Sequence, residues 1–446
     1  MNTPICDFVN QYAQSKALRL HMPGHKGTPL LGPEMLDITE ISGADSLYEA
    51  GGIIAQSEEN ASCVFGCRTF YSAEGSSLAI RAMLYLVLLQ SKAQGKKPLI
   101  AAARNVHKTF LSAVALLDME VSWLYPKAGS SYLSCCLDAG EVEHFLLETP
   151  EKPIALYVTS PDYLGQITDI AALAQVCHRH GVLLAVDNAH GAYLRFLPES
   201  LHPMDQGADF CCDSAHKTLP VLTGGAYLHI SHRAPDIFRQ QAKNALAMFG
   251  STSPSYLILQ SLDMANNVLA GEYPQKLADT AQAVEHCKKE LTQAGFSLIG
   301  QEPMKITVAC QSIGCTGYAL AEYLQEHHII CEFADPDNLV LMVSAQTRQE
   351  EIARLCQVLL QFPRSAPVCK PAPQVHECEK VMSVRQAMLS MQETVDTENC
   401  IGRVLASPSV GCPPAVPIAV CGERIDRQTA ELFRYYGITR CCVICE

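Results

Sequence analysis

The sequence predicts an α/β fold built on a mostly parallel sheet, and three observations predict it. Between about residues 60 and 235, short apolar runs alternate with stretches of helical periodicity. Those runs lack polar–apolar alternation, as strands covered on both faces do. The chain is also long enough to bury a large core. It has 446 residues, 48% of them hydrophobic and 18% charged, which excludes a disordered chain.

Residues 78–89 read as a helix. PLIAAA (98–103), the run 121–124, IALYVT (154–159) and VLLAV (182–186) read as buried strands, each followed by polar residues and a helical stretch such as 170–180. A further apolar strand precedes Ser214. After about residue 235 the pattern changes. Residues 255–269 and 276–294 read as long helices, and 295–362 offers strands at 306–309, 329–333 and 339–343 with two helices, a small α+β domain. PRSAPVCKPAP (363–373) reads as a linker. The remainder opens with a helical segment, 381–391, and carries a second proline-rich loop, CPPAVP at 412–417. The expected divisions are an N-terminal arm (1–45), a large domain (46–250), helices with the small domain (251–362), the linker, and a C-terminal domain (374–446).

Lys+Arg 33 against Asp+Glu 46 leaves a net charge of −13, and no Lys/Arg-rich run interrupts it. Nucleic acid and anionic membrane surfaces are therefore not expected partners. The N-terminus lacks a basic segment followed by an apolar one. The longest apolar run, 82–89, is far short of the roughly 20 residues a membrane span needs. A cytoplasmic protein is the expectation. The 21 cysteines read mostly as reduced, buried small hydrophobes. Cys63-x3-Cys67 and Cys442-x2-Cys445 have ligand-like spacing but lack a second pair, so no metal is expected.

In α/β sheets, ligand-binding groups gather at the carboxyl ends of strands. VLLAV runs into Asp187, a costly place for an acid unless it has a partner; a helix cap or an ion pair is the plain reading, a carboxylate on a cationic cofactor nitrogen the functional one. The next strand runs into Ser214-Ala-His216-Lys217, where a lysine suits imine chemistry, and Gly224-Gly225 then permits close backbone approach. Gly75-Ser76-Ser77 opens the first helix and offers N–H groups, hydroxyls and the positive dipole end to a phosphate, although Ser-Ser is also an ordinary cap. His107 follows PLIAAA and could stack on a ring; alone it reads as a solvent-facing histidine. Together they compose one site. A phosphate cradle, a stacking histidine, a strand-end acid and a lysine some thirty residues on suit pyridoxal 5′-phosphate (PLP) held as a Schiff base. Of the three His-Lys pairs, 25–26, 107–108 and 216–217, only Lys217 follows both the strand and the acid in that order.

The sequence resembles the Orn/Lys/Arg decarboxylase family of fold-type I PLP enzymes, in the short form without an N-terminal wing domain. The resemblance rests on His21-Met-Pro-Gly-His-Lys-Gly27, Gly75-Ser76-Ser77, Arg104-Asn-Val-His107-Lys108, Ser160-Pro-Asp-Tyr163 with Gly165, Asp187-Asn-Ala189-His190-Gly191, Ser214-Ala-His216-Lys217-Thr-Leu-Pro220, Ser251-Thr252-Ser-Pro-Ser-Tyr256, and Pro413-Pro-Ala-Val-Pro417 with Gly422-Glu423. It implies a mostly parallel, seven-stranded-type sheet flanked by helices, with small and C-terminal α+β domains. It further implies Lys217 as the Schiff-base lysine, Asp187 on the pyridine nitrogen and His107 stacked on the ring. Gly75, Ser76, Ser77, Ser214 and His216 fall to the phosphate, Ala189 and His190 to the cofactor, and Thr252 to a neighbouring subunit's phosphate. Glu423 is the acid assigned to a cationic substrate end.

The implied reaction is decarboxylation of arginine, lysine or ornithine, leaning to arginine, by a homodimer or higher homo-oligomer of polyamine metabolism. Another PLP reaction, aminotransfer or β-elimination, and a non-catalytic regulatory relative are the alternatives. Three departures bear on the choice. Glu74 stands beside the phosphate turn, Asp162 replaces a threonine, and Asn188 replaces a glutamate.

Overall fold

The predicted sheet is present in the computed structural model, which describes residues 1–368, 372–408 and 413–445. It is mixed and mostly parallel, with seven strands: β1 (Arg68–Ser72), β2 (Leu99–Ala103), β3 (Glu120–Leu124), β4 (Ala155–Thr159), β5 (Leu183–Asp187), β6 (Phe210–Asp213) and β7 (Ala226–Ile230). The chain divides into two units, Met1–Gln90 with Leu183–Leu277 and Ser91–Val182 with Ala278–Glu446.

In the first unit the strand order is β1-β7-β6-β5. β5 and β6 run parallel, with Asp187 opposite Cys212. β7 runs antiparallel to β6 and to β1, placing His229 opposite Cys211 on one side and Thr69 on the other. The reason is the connection. Residues 214–225 contain only the single helical turn Ala215–Thr218, too little for the crossover a parallel return needs. Neither β1 (RTFYS) nor β7 (AYLHI) is predicted above, because each mixes polar groups into a short aromatic run. Burial of Thr69, Ser72 and His229 shows that those polar groups face the interior.

The N-terminal helix Pro4–Gln14 has no side-chain cap of its own. Its orphan N–H groups on Ile5 and Cys6 instead donate to Asp263 Oδ2 at 2.9 and 3.0 Å. Asp263 Oδ1 accepts from Ser57 Oγ at 2.5 Å, and Asn266 Nδ2 donates to the Tyr71 hydroxyl at 2.7 Å. This buried polar knot anchors the first helix to helices Ile53–Phe65 and Tyr256–Ala270.

The second unit holds β4-β2-β3, all parallel, with helices Lys108–Leu117, Ala139–Glu148 and Ile170–Arg179. Asp138 and Asp169 cap the latter two, accepting from Gly140 and Ala172. A four-stranded antiparallel sheet follows in the order β10-β11-β9-β8, from β8 (Leu298–Ile299), β9 (Lys305–Ala309), β10 (Phe333–Ala334) and β11 (Asn338–Met342). The predicted strand 329–333 thus keeps only its last residue; Ile330 is exposed and has no core to face. The chain ends in β12 (Gln392–Asp396) and β13 (Arg440–Ile444), packed with helix Arg427–Tyr435 around Leu405, Ile425, Phe433 and Val443. The predicted helix 381–391 shortens to Val384–Met388, because the chain enters β12 at Gln392.

The proline-rich segments read as linker and loop fall partly outside the described residues, at 369–371 and at 412. Among the described residues no cysteine is in a disulfide, and no helix is long and apolar enough to cross a membrane. Cys63 is exposed while Cys67 is buried, and Cys442 Sγ donates to Gln392 Oε1 at 3.1 Å; neither spaced pair belongs to a group that could hold an ion.

Candidate active site

The first unit carries most of the expected groups. Ser72 Oγ donates to the Gly75 carbonyl at 2.8 Å, and the Gly75 N–H donates to Gly224 O at 2.7 Å. Gly75 turns at φ +71, and Gly224 at φ +99. A Cβ on Gly224 would lie 3.1 Å from the Ala73 carbonyl and 2.9 Å from Ile258 Cδ1, so only glycine lets the two turns meet. Helix Gly75–Ala93 starts here, with the orphan N–H groups and positive dipole end that favour an anion. Ser214 Oγ donates to Ser76 Oγ at 2.8 Å, bringing the β6 end to this turn.

His216 Nδ1 donates to Gly225 O at 3.0 Å, and burial lowers its pKa. With that proton committed, an anion contact from the opposite ring nitrogen requires the doubly protonated ring, a state a phosphate dianion favours. Lys217 Nζ lies 2.8 Å from His190 Nε2. Lys217, expected just past the strand, lies on the helical turn after β6 with an exposed side chain. Asp187 is buried at the end of β5, its Oδ1 accepting the Ala189 N–H at 3.2 Å and the Cys212 thiol at 3.6 Å.

Glu74, suspected of repelling a phosphate, turns away from the cradle. Its Oε1 accepts the Ser251 N–H at 2.6 Å and so ties down the exposed loop that carries Thr252. Burial and Glu74 together push the Tyr48 hydroxyl up to about 12.

His107 belongs to the second unit, where it caps helix Lys108–Leu117 by accepting the Thr109 N–H on Nδ1 at 3.1 Å. Arg104, three residues earlier, is buried over Trp123. It donates to the Pro417 and Ile418 carbonyls at 3.2 and 3.0 Å and pairs with Glu423 at 3.5 Å. Glu423 also accepts the Val420 N–H at 2.7 Å. The carboxylate assigned to a cationic substrate is therefore already engaged by an internal guanidinium.

Asp162 is a buried turn-former, its Oδ1 accepting from Leu164 and Gln166, both at 2.9 Å. Burial pushes its pKa up to about 6, against the pull of its hydrogen bonds and of Lys305. A carboxyl raised above its unfolded value stabilises the fold fully at pH below that value and loses the contribution as pH rises through about 6. Asp162→Asn is expected to gain stability relative to the unmodified chain by about 2 kcal/mol between pH 4 and pH 7. Urea unfolding of both chains across that range checks it, and a pH-independent difference would contradict it.

The cradle of glycines and hydroxyls, the strand-end carboxylate and the exposed lysine amine suit a phosphorylated aldehyde with a basic ring nitrogen, the chemistry of PLP. The fold and this donor set define a fold-type I PLP enzyme. The chain matches the Orn/Lys/Arg decarboxylase major domain over residues 3–309 and belongs to that family. It is 28% identical over 466 residues to an arginine decarboxylase of Halalkalibacterium halodurans, covering 97% of this chain and 93% of the relative. It is 20% identical to the inducible lysine decarboxylase of Escherichia coli K12, covering 97% of this chain and 76% of the relative. Among solved structures, the E. coli constitutive lysine decarboxylase superposes with a TM-score of 0.78 at 17% identity, over 100% of this chain and 82% of that one. The protein is an amino-acid decarboxylase with PLP as its cofactor.

Asp213, His202 and His229, not singled out in the sequence, form a buried cluster that Asn188, the residue after Asp187, joins through its side chain. The available signal was Asp213 itself, an acid closing the apolar run Phe210-Cys211-Cys212, where it needs a partner.

Proposed function

We propose that the protein removes CO₂ from a basic L-amino acid, arginine first among them, releasing the amine, agmatine in that case. The observation that carries the choice of reaction is the match to the Orn/Lys/Arg decarboxylase major domain over residues 3–309, and the Lys217 amine beside His190, on the turn after β6, supplies the group for imine chemistry. Relatives called arginine decarboxylase, at 26–28% identity over 94–97% of this chain, support arginine.

PLP, when bound, supplies an electron sink for the pair left as CO₂ departs. The rest falls to side chains. Gly75, Ser76, Ser77 and Ser214 hold the phosphate, and His216 joins them once its ring is doubly protonated. Ala189 orients Asp187 through its N–H, and Asp187 keeps a proton on the ring nitrogen. The family resemblance would give His107 a ring-facing role and Thr252 a role toward a second subunit's phosphate in a homodimer. Lys217 Nζ anchors the aldehyde carbon. Its amine, with His190 Nε2 as hydrogen-bond partner, would also be the group to return a proton to the carbon that lost CO₂.

The test offers the PLP-loaded protein arginine, lysine and ornithine separately and measures CO₂ and amine by mass spectrometry. Agmatine with CO₂ is the expected result. Cadaverine or putrescine would replace the proposed substrate. A change of cofactor spectrum without CO₂ from any of the three would refute the decarboxylation of these substrates.

A further inference from the structure

Asp213 and its partners have no part in the scheme above, yet all lie in the interior of the first unit. Asp213, His202, His229 and Asn188 are each 0% exposed. Asp213 Oδ2 lies 3.0 Å from His202 Nε2 and 3.1 Å from His229 Nε2, and Oδ1 accepts from Asn188 Nδ2 at 2.6 Å.

The register builds this cluster. His229 stands opposite Cys211, Asp213 lies two residues along the same strand face, and His202 arrives from the loop before β6.

Four groups of this kind, His202, Cys211, Asp213 and His229, also suggest a metal site. The tautomers argue otherwise. The Met204 N–H points at His202 Nδ1 at 3.4 Å, and the Thr69 hydroxyl is 2.9 Å from His229 Nδ1. Asp213 as a carboxylate can only accept, so the Nε2 atoms of both histidines, in hydrogen-bond reach of its Oδ2, carry protons and donate to it. A protonated ring nitrogen has no lone pair for an ion. Asp213 is a carboxylate with three donors, held well below the usual range by the two histidines despite its burial.

The consequence lies one residue from Asp187. The Asn188 N–H donates to Cys212 O at 3.0 Å, and its side chain reaches Asp213, so the residue after Asp187 is pinned twice to β6. β6 continues into Ser214, whose carbonyl accepts the Lys217 N–H at 3.0 Å.

We propose that Asp213, oriented by His202 and His229, is a positioning residue that acts through Asn188 to fix the strand-end carboxylate Asp187 relative to Lys217, and that it places a second negative charge behind that carboxylate. The role rests on the reading of Asp187 and Lys217 as the cofactor's nitrogen and aldehyde partners. Besides Asn188 and the two histidines, Cys211, Tyr227, Cys67 and Cys212 surround the Asp213 charge, and Cys211 and Cys212 also feel Asp187.

The test compares the PLP-loaded unmodified protein with Asn188→Ala and Asp213→Asn. Borohydride-trapped cofactor on the Lys217 peptide is measured first, then the pH midpoint of the visible cofactor band, then kcat and KM. Both variants should retain the trapped cofactor. Asn188→Ala should lose roughly tenfold or more in kcat with KM within about threefold, as a misplaced group does. Asp213→Asn should also lower the band midpoint by roughly half a pH unit, because removing a nearby negative charge weakens retention of a proton. If Asp213→Asn does not fold, Asn188→Ala decides alone through kcat and the trapped mass. Unchanged kcat and band in Asn188→Ala overturns the proposal. So does stoichiometric zinc released from the unmodified protein and lost in Asp213→Asn. An unmodified protein that traps no cofactor on Lys217 instead overturns the reading beneath it.

Discussion

Lys217→Ala is expected to reduce CO₂ release at least about a thousandfold, because it removes the covalent anchor and proton carrier. Borohydride should no longer fix cofactor mass to the protein. The Gly75–Ser77 cradle and its contact with Ser214 remain in the variant, so PLP should still bind reversibly, seen as a free-aldehyde absorbance that dialysis removes. Added small amines should restore part of the turnover. Near-normal turnover of Lys217→Ala without such amines would remove the basis of the functional reading.

The largest expected effect on stability lies in the second unit. Arg104→Ala removes the counter-charge of Glu423 and the donors to the Pro417 and Ile418 carbonyls, all in a site where both side chains are less than a tenth exposed. Leaving one buried charge unpaired costs about 3–5 kcal/mol. Burial already pushes the Glu423 carboxyl up against the pull of Arg104, so in the variant it should take up a proton. Combining Arg104→Ala with Glu423→Gln should recover part of the loss. Guanidinium unfolding of the two single variants and the double gives the coupling directly. A loss under about 1 kcal/mol for Arg104→Ala would show that the pair is not the brace described.

Glu423 also shows where sequence reading stops. Its place in a Gly-Glu motif near the C-terminus marked it as an acid of consequence, but the assignment depended on its being free to meet a substrate. Arg104 lies 319 residues away, and nothing local in either segment shows that they touch. Glu74 is similar. From sequence it is a carboxylate next to a phosphate turn, and only the Ser251 N–H shows that it points elsewhere. Asp162 looks like a polar replacement for threonine; burial and two turn N–H groups make it structural.

The sequence by itself determined the alternation of buried strands and helices, the order of the chemistry-bearing residues along it, and the family. These follow from local causes. Apolar runs of strand length, glycines at tight turns and serines at a helix start act within a few residues of one another. The tertiary structure alone decided the antiparallel return of β7, the exposure of Lys217, and the partners of Glu74, Glu423 and Asp213. Each of these depends on which distant groups meet in an interior where an unpaired charge or N–H is costly, and that pairing is a property of the packed chain.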